Sequence, residues 1–281
     1  VSISDAPIRR PTTAVQVLAL DGQGGRRKPD TLVTEEPLEL RVHAPGEDPT
    51  PFVVTMRTPG NDFELAAGFC LTEGICTSAD DIGQIAYCMG PEGAQLFNVV
   101  TVRLRNRIAA DAHAHRFLSN SSCGICGKAA LDEVEVRCAP VGEGPVVDAA
   151  VVMSLPERLA QHQRVFEKTG GLHAAARFTP DGDIIATRED VGRHNALDKL
   201  IGNALLERAL PLSNEVLLLS GRMSFELVQK AAVAGIAVLC SVSAPSSLAV
   251  AAAERFGQTV VGFVRDGRCN VYTRPERIRP A

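Results

Sequence analysis

From residue 97 to 105 the apolar Val100, Val102 and Leu104 alternate with Thr101, Arg103 and Arg105, the period of a strand with one wet face. Mixed polar and apolar positions over 31–42 and the run 52–56 predict two further strands, and 14–20 predicts a short one inside a Gly-, Arg- and Pro-rich opening. The period lengthens after Asn61. Phe63, Ala66, Ala67 and Cys70 then share one helical face, with Asn61 and Glu64 spaced as a capping box and Gly74 as the stop. A second such box, Ser154 with Glu157, precedes Leu155, Leu159 and Phe166, and Gly170-Gly171 ends that helix. Residues 172–178 and 184–187, joined through Pro180-Asp181-Gly182, predict a hairpin.

The last hundred residues change pattern. Near-continuous apolar runs at 216–219, 236–242 and 259–264 suit strands covered on both faces, and the stretches 224–234 and 246–256 between them are helical. Strand, helix, strand, helix, strand argues for a parallel sheet. A turn at 265–268 leads into 269–272, which returns as a hairpin.

The 281 residues, 45% hydrophobic and 22% charged, can bury a substantial core. The net charge of -4 lacks the basic excess of a nucleic-acid footprint. The first residues lack the basic start and apolar run of a signal peptide, and no stretch approaches the ~20 apolar residues of a membrane helix. The expectation is a cytoplasmic protein with no nucleic-acid or membrane partner.

Eight cysteines are too sparse for a disulfide scaffold. Cys70, Cys76, Cys88, Cys138, Cys240 and Cys269 are scattered among aliphatic residues, where free cysteine behaves as a small core residue. Cys123 and Cys126 differ, standing as Cys-x-x-Cys in a Ser- and Gly-rich setting. That spacing serves half a zinc site, a thioredoxin-like redox pair or a sulfur carrier. Zinc needs a second ligand pair; none stands close in sequence apart from the unusually spaced His113 and His115, so no metal is expected. A redox motif opens a helix after a buried strand, whereas Ser119, Asn120, Ser121 and Ser122 favour an exposed loop. An exposed loop suits persulfide relay, in which a thiolate accepts a sulfur and offers it to a second site. Lys128 would supply positive field, and Cys126 could release the sulfur by closing a disulfide.

The segment Ser121-Ser122-Cys123-Gly124-Ile125-Cys126-Gly127-Lys128 resembles the cysteine loop of the formate dehydrogenase accessory sulfurtransferases, the FdhD family. Arg57-Thr58-Pro59-Gly60-Asn61-Asp62-Phe63-Glu64, Thr169-Gly170-Gly171-Leu172-His173, Ser220-Gly221-Arg222 and Ser243-Ala244-Pro245-Ser246-Ser247 resemble its other motifs. The most specific is Arg188-Glu189-Asp190-Val191-Gly192-Arg193-His194-Asn195-Ala196-Leu197-Asp198-Lys199. The resemblance runs from about Arg57 to the C-terminus.

It implies an α/β fold: a cytidine-deaminase-like C-terminal domain with a largely parallel sheet, plus a smaller α+β N-terminal part. The corresponding divisions are an arm over 1–29, the N-terminal part over 30–112, a cysteine loop over 113–128 and the α/β domain over 129–281. It further implies a sulfurtransferase that takes sulfur from a cysteine desulfurase onto Cys123, with Cys126 supporting. Delivery is to the molybdenum bis(molybdopterin guanine dinucleotide) cofactor of the client, formate dehydrogenase. A homodimer is expected. The cofactor-contacting role passes to Phe263, Val264, Arg265, Asp266, Gly267 and Arg268. In an open parallel sheet ligands sit beyond the carboxyl ends of strands, near helix starts whose amides favour phosphate. The junctions at 220–224 and 243–246 are such places; Arg222, Arg265 and Arg268 would grip diphosphate, and Asp266 would accept from a guanine edge. The same residues also read as ordinary turns with solvated arginines. His173 and His194 read either as core or capping histidines or as groups orienting the cofactor. A zinc deaminase is the enzymatic rival, but its His-x-Glu and Pro-Cys-x-x-Cys signature is missing. A cofactor-binding chaperone with no duty for Cys123 is the other.

Overall fold

The computed structural model describes residues 1–3, 10–89, 95–106 and 139–280. Alternation builds the first sheet, of order β1-β6-β7-β4-β5. Its strands are β1 (Ser2–Ile3), β4 (Glu36–His43), β5 (Thr50–Arg57), β6 (Ile82–Met89) and β7 (Gln95–Leu104). Leu38, Leu40 and Val42 of β4 and Val100 and Val102 of β7 turn inward, and Glu39, Arg41 and Arg103 lie on the more exposed face, where Thr101 is covered beside Cys88. The predicted strand 31–42 is two elements, because β3 (Gly24–Val33) ends before β4 and pairs instead with β2 (Thr12–Asp21) as a separate hairpin. β6 had no matching prediction.

The second sheet has the order β10-β9-β11-β12-β13-β14. Here β11 (Val216–Leu219), β12 (Val238–Ser241) and β13 (Thr259–Arg265) are parallel. The hairpin β9 (His173–Phe178) and β10 (Ile184–Asp190) and the edge strand β14 (Arg268–Val271) are antiparallel to their neighbours. The continuous apolar runs have a direct cause: Leu217 and Leu219 enter one core while Val216 and Leu218 enter another on the opposite face. The smaller core lies under α2 (Ala149–Ala160), with Val152, Leu155 and Leu159. A short parallel pair, β8 (Val147–Asp148) with β15 (Ile278–Arg279), adds Val147 and Ile278.

The larger core joins both sheets through α1 (Asp62–Thr72), α4 (Arg193–Leu206), α5 (Phe225–Val233) and α6 (Ser247–Phe256). At the crossing of α1 and α4 two glycines meet opposing backbone. A Cβ on Gly68 would lie 1.9 Å from the Asp198 carbonyl oxygen, and one on Gly202 1.8 Å from that of Glu64.

Both predicted capping boxes are absent. Asn61 precedes α1 in a left-handed conformation (φ 57°) with no side-chain cap. Glu64 instead takes a two-point ion pair from Arg188, at 2.5 and 2.6 Å. Ser154 lies inside α2, donating to the Val151 carbonyl, and the helix starts at Ala149. The chain then turns into a second helix, α3 (Arg164–Thr169), which left-handed Gly170 ends as the sequence predicts.

The motif at 188–199 and the one at 57–64 interlock. Asp190 and Lys199, both buried, pair at 2.7 Å; Lys199 also donates to the Thr58 carbonyl and Asp190 accepts from the Thr58 amide. Asn195 donates to the Met56 carbonyl, and Arg57 grips Asp62 through two hydrogen bonds of 3.0 and 2.8 Å. Most of these polar side chains therefore hold the sheets together. Arg193 and His194 remain at the start of α4.

Candidate functional site

The carboxyl ends of β11, β12 and β13 open into three loops joined by hydrogen bonds. The buried Ser241 hydroxyl lies 2.6 Å from the Gly221 carbonyl oxygen and 3.0 Å from that of Ser243. The Met223 amide donates to the Ala244 carbonyl, and the Ser246 amide to the Met223 carbonyl. The Phe263 amide donates to the Ser243 carbonyl at 3.1 Å. The predicted groups at 220–224, 243–246 and 263–268 thus share one edge of the sheet. Ser241, which stitches them, sits as a lone hydroxyl in the apolar run 236–242, and that was its available signal.

Phe263 carries backbone strain. Its φ of 54° falls within the bulge between Gly262 and Arg265, a conformation that side chains disfavour. Strain of this kind concentrates at functional positions. Gly262 is needed beside it, since a Cβ there would meet Pro245 Cδ at 2.8 Å. The Arg265 guanidinium lies over the Phe263 ring, 5.6 Å from its centroid. Asp266 and Gly267 both have positive φ, 54° and 67°, as the tight Asp-Gly hairpin turn requires. Arg265, Asp266, Gly267 and Arg268 are exposed, and so is Arg222. Val264 is different: its side chain fills the smaller core, so a ligand could meet only its backbone.

A second wall comes from β9, α4 and α5. His173 stands beside Gly221, where a Cβ would lie 3.0 Å from its Nδ1. Burial, then the nearby charges of Arg193 and His194, hold the His173 imidazole below its ordinary pKa. His194 Nε2 lies 2.8 Å from Glu226 Oε2 and 3.3 Å from Ser224 Oγ, and this contact lowers the Glu226 pKa. The Arg193 Nε is buried with no hydrogen-bond partner among the described residues. A cleft of about 530 Å³ runs from Ser220 and Val242 past Gly170, Gly171 and His173 to Leu159 of α2.

Cys123 and Cys126 lie outside the described residues, as do Cys138, His113 and His115. Residues that follow that stretch are held firmly: Arg277 donates to the carbonyls of Gly142, Glu143 and Gly257. The remaining thiols divide by environment. Cys70, Cys76 and Cys240 are buried, and burial raises their pKa, that of Cys76 to about 12, which removes the thiolate at neutral pH. Cys88 and Cys269 are half-buried.

These features define a class, a mixed α/β protein whose carboxyl-edge loops form one bonded unit. The FdhD/NarQ family matches residues 33–279, and the chain belongs to that family. The sulfur carrier protein FdhD of Mycolicibacterium paratuberculosis is 51% identical over 258 residues, covering 89% of this chain and 93% of that protein. The sulfur carrier protein FdhD of Streptomyces coelicolor is 50% identical, covering 89% and 90%. The corresponding protein of Sulfurisphaera tokodaii is 43% identical over 94% of this chain and 98% of its own. A crystal structure from Desulfotalea psychrophila, described as a formate dehydrogenase accessory protein, aligns with a TM-score of 0.72 at 25% identity. It covers 97% of this chain and 100% of that one.

Proposed function

We propose that this chain is a sulfur carrier acting in formate dehydrogenase maturation. It accepts persulfide sulfur on Cys123 from a cysteine desulfurase and delivers it to the molybdenum bis(molybdopterin guanine dinucleotide) cofactor as substrate. The observation that carries this reading is the match to named sulfur carriers at about half identity over nearly nine-tenths of the chain. In the loading step the Cys123 thiolate attacks the outer sulfur of the donor persulfide. The donor S–S bond breaks, its cysteine leaves as thiolate, and Cys123 holds the persulfide with no net oxidation. Where sulfur must leave as hydrosulfide, the Cys126 thiolate attacks Cys123 Sγ. A Cys123–Cys126 disulfide forms and the outer sulfur departs with two electrons.

The carboxyl-edge loops support the cofactor reading. Arg222, Arg265 and Arg268 are exposed donors for diphosphate, and Phe263 is held in strain among them. The finer fold reading, a cytidine-deaminase-like domain, draws support from a hairpin standing beside three parallel strands with helices between them. The five-stranded sheet and the six-stranded sheet fall on either side of the expected cysteine loop at 113–128, which supports a division there. The expected boundary between an arm over 1–29 and a part over 30–112 draws no such support, because β1 joins the first sheet and β3 (Gly24–Val33) crosses that boundary. No helix among the described residues is long and apolar enough to cross a membrane, which accords with a cytoplasmic site of action.

The test is mass spectrometry after incubation with a desulfurase and cysteine. Wild type gains one reducible sulfur on Cys123, and Cys123→Ala gains none. Cys126→Ala still loads, and releases hydrosulfide more slowly. Normal loading of Cys123→Ala would remove the assignment.

A further inference from the structure

The cleft between α2, α3 and the start of β9 holds a polar side chain that the fold leaves unsatisfied. Gln163 is only 8% exposed, lines that cleft, and has no side-chain hydrogen-bond partner among the described residues. Burying an amide costs free energy unless something hydrogen-bonds to it, so the position suits a ligand's polar edge. Its backbone is fixed. The Gln163 amide donates to the Ala160 carbonyl, and its carbonyl accepts from the Glu167 amide at 2.9 Å. Glu189 accepts from the amides of Val165 and Phe166, which ties α3 to the motif at 188–199. Two more polar groups line the same space. The Ser220 hydroxyl accepts from the Ala174 amide at 2.8 Å and keeps its own hydrogen to donate, and the His173 imidazole stands against Gly221. Leu159 and Leu172 are buried beneath, and Phe166, 41% exposed, offers its ring for stacking. The volume of about 530 Å³ lies within the range of small-molecule sites.

We propose that this cleft seats a pterin, the heterocycle at the end of the molybdenum cofactor opposite its guanine, with Gln163 reading the ring's lactam edge; the inference rests on the cofactor reading above. A side-chain amide carries a donor and an acceptor side by side. The pterin lactam presents the complementary pair, a ring N–H beside a carbonyl, so one residue makes both bonds at once. The flat ring matches Phe166 and the aliphatic floor. Burial, then the charges of Arg193 and His194, hold the His173 imidazole below its ordinary pKa, so it is neutral at pH 7 and can accept from the ring's exocyclic amine. Placement selects the pterin over the guanine. Asp266 sits in the turn that joins β13 to β14, whereas the cleft opens beside β9. In the order β9-β11-β12-β13 those ends stand three strand spacings apart, ~14 Å at ~4.8 Å each. The loop at 220–224 follows β11, between them. A ligand with its diphosphate on that loop would lay one ring on each side.

Calorimetric titration of the full chain with 6-hydroxymethylpterin tests this. Wild type should bind it saturably at or below ~1 mM, the range of an efficient fragment of that size. Gln163→Leu keeps the volume and breaks no side-chain bond within the described residues, so Tm should stay unchanged. The same variant should bind the pterin about 10-fold more weakly or worse, through hydrogen bonds lost at a buried edge. Guanosine diphosphate should bind the variant as it binds wild type, and should bind alongside the pterin without displacing it. No saturable binding, or unchanged pterin affinity in Gln163→Leu, would overturn the proposal. So would displacement of the pterin by guanosine diphosphate, which would make the cleft the nucleoside pocket. Loading of Cys123 is read separately by mass spectrometry: a chain that takes no sulfur yet binds the pterin through Gln163 would lose the carrier reading and keep this one.

Discussion

At the scale of single residues, the candidate site separates groups whose conformation is needed by the fold from groups that stand available. Asp266 occupies the first central position of an Asp-Gly turn, a position Asn fills equally well. Asp266→Asn should therefore leave Tm unchanged and remove only the carboxylate. If that carboxylate accepts from the guanine edge, wild type should bind guanosine diphosphate more tightly than adenosine diphosphate, and the variant should narrow the difference. Arg265→Ala or Arg268→Ala should instead weaken both nucleotides by about 1.5–3 kcal/mol, because phosphate carries no base identity. Calorimetric titration reads both effects, and equal affinity of wild type for the two nucleotides would refute the placement. The sequence was informative here, since turn, arginines and aromatic ring are contiguous. It was uninformative about Val264, whose burial depends on α2 packing from a distant segment. Arg193 was hidden for a related reason: within the motif at 188–199 its neighbours Asp190, Asn195 and Lys199 face inward, and residue type alone does not separate them.

At the scale of elements, periodicity and local rules succeeded where an element is covered in a simple way. The three parallel strands and the two helices between them follow the apolar runs closely, because covering both faces leaves no other pattern. Capping rules failed at Asn61 and Ser154, where tertiary partners and the preceding chain displaced the local motif. The helix α4 was obscured by its charge: Asp198, Lys199 and Asn203 are buried through pairing, so its apolar face does not stand out. What fixes its position is Gly202, whose lack of a side chain admits the Glu64 carbonyl of α1. Gly202→Ala must push the two helices apart, and overpacking of this kind costs about 1–3 kcal/mol or more. The midpoint of urea unfolding should fall accordingly. An Ala variant as stable as wild type would show that the crossing yields without cost.

At the scale of the molecule, the two sheets are joined by buried charge as well as by apolar contact. Lys230 of α5 donates to both carboxylate oxygens of Asp198 in α4 at 3.0 Å, to Thr72 at 2.8 Å and to Glu73 at 3.1 Å. Three helices meet on one ammonium, and two of them, α1 and α4, stand where the first sheet joins the second. Burial opposes the Lys230 charge, yet Asp198 and Glu73 outweigh it and raise its pKa, so the ammonium persists across the physiological range. Lys230→Met keeps most of the volume and leaves Asp198 as a buried charge without its partner. Breaking such a pair costs about 3–5 kcal/mol, whereas replacing both members by apolar or neutral groups costs much less. Lys230→Met should therefore lower stability by that amount, and adding Asp198→Asn should restore a large part of it. Because the pair spans the junction, near- and far-ultraviolet circular dichroism should report one coincident urea transition in wild type. Separate transitions in wild type, or a loss below about 1 kcal/mol in Lys230→Met, would mean that the apolar core alone holds the sheets together.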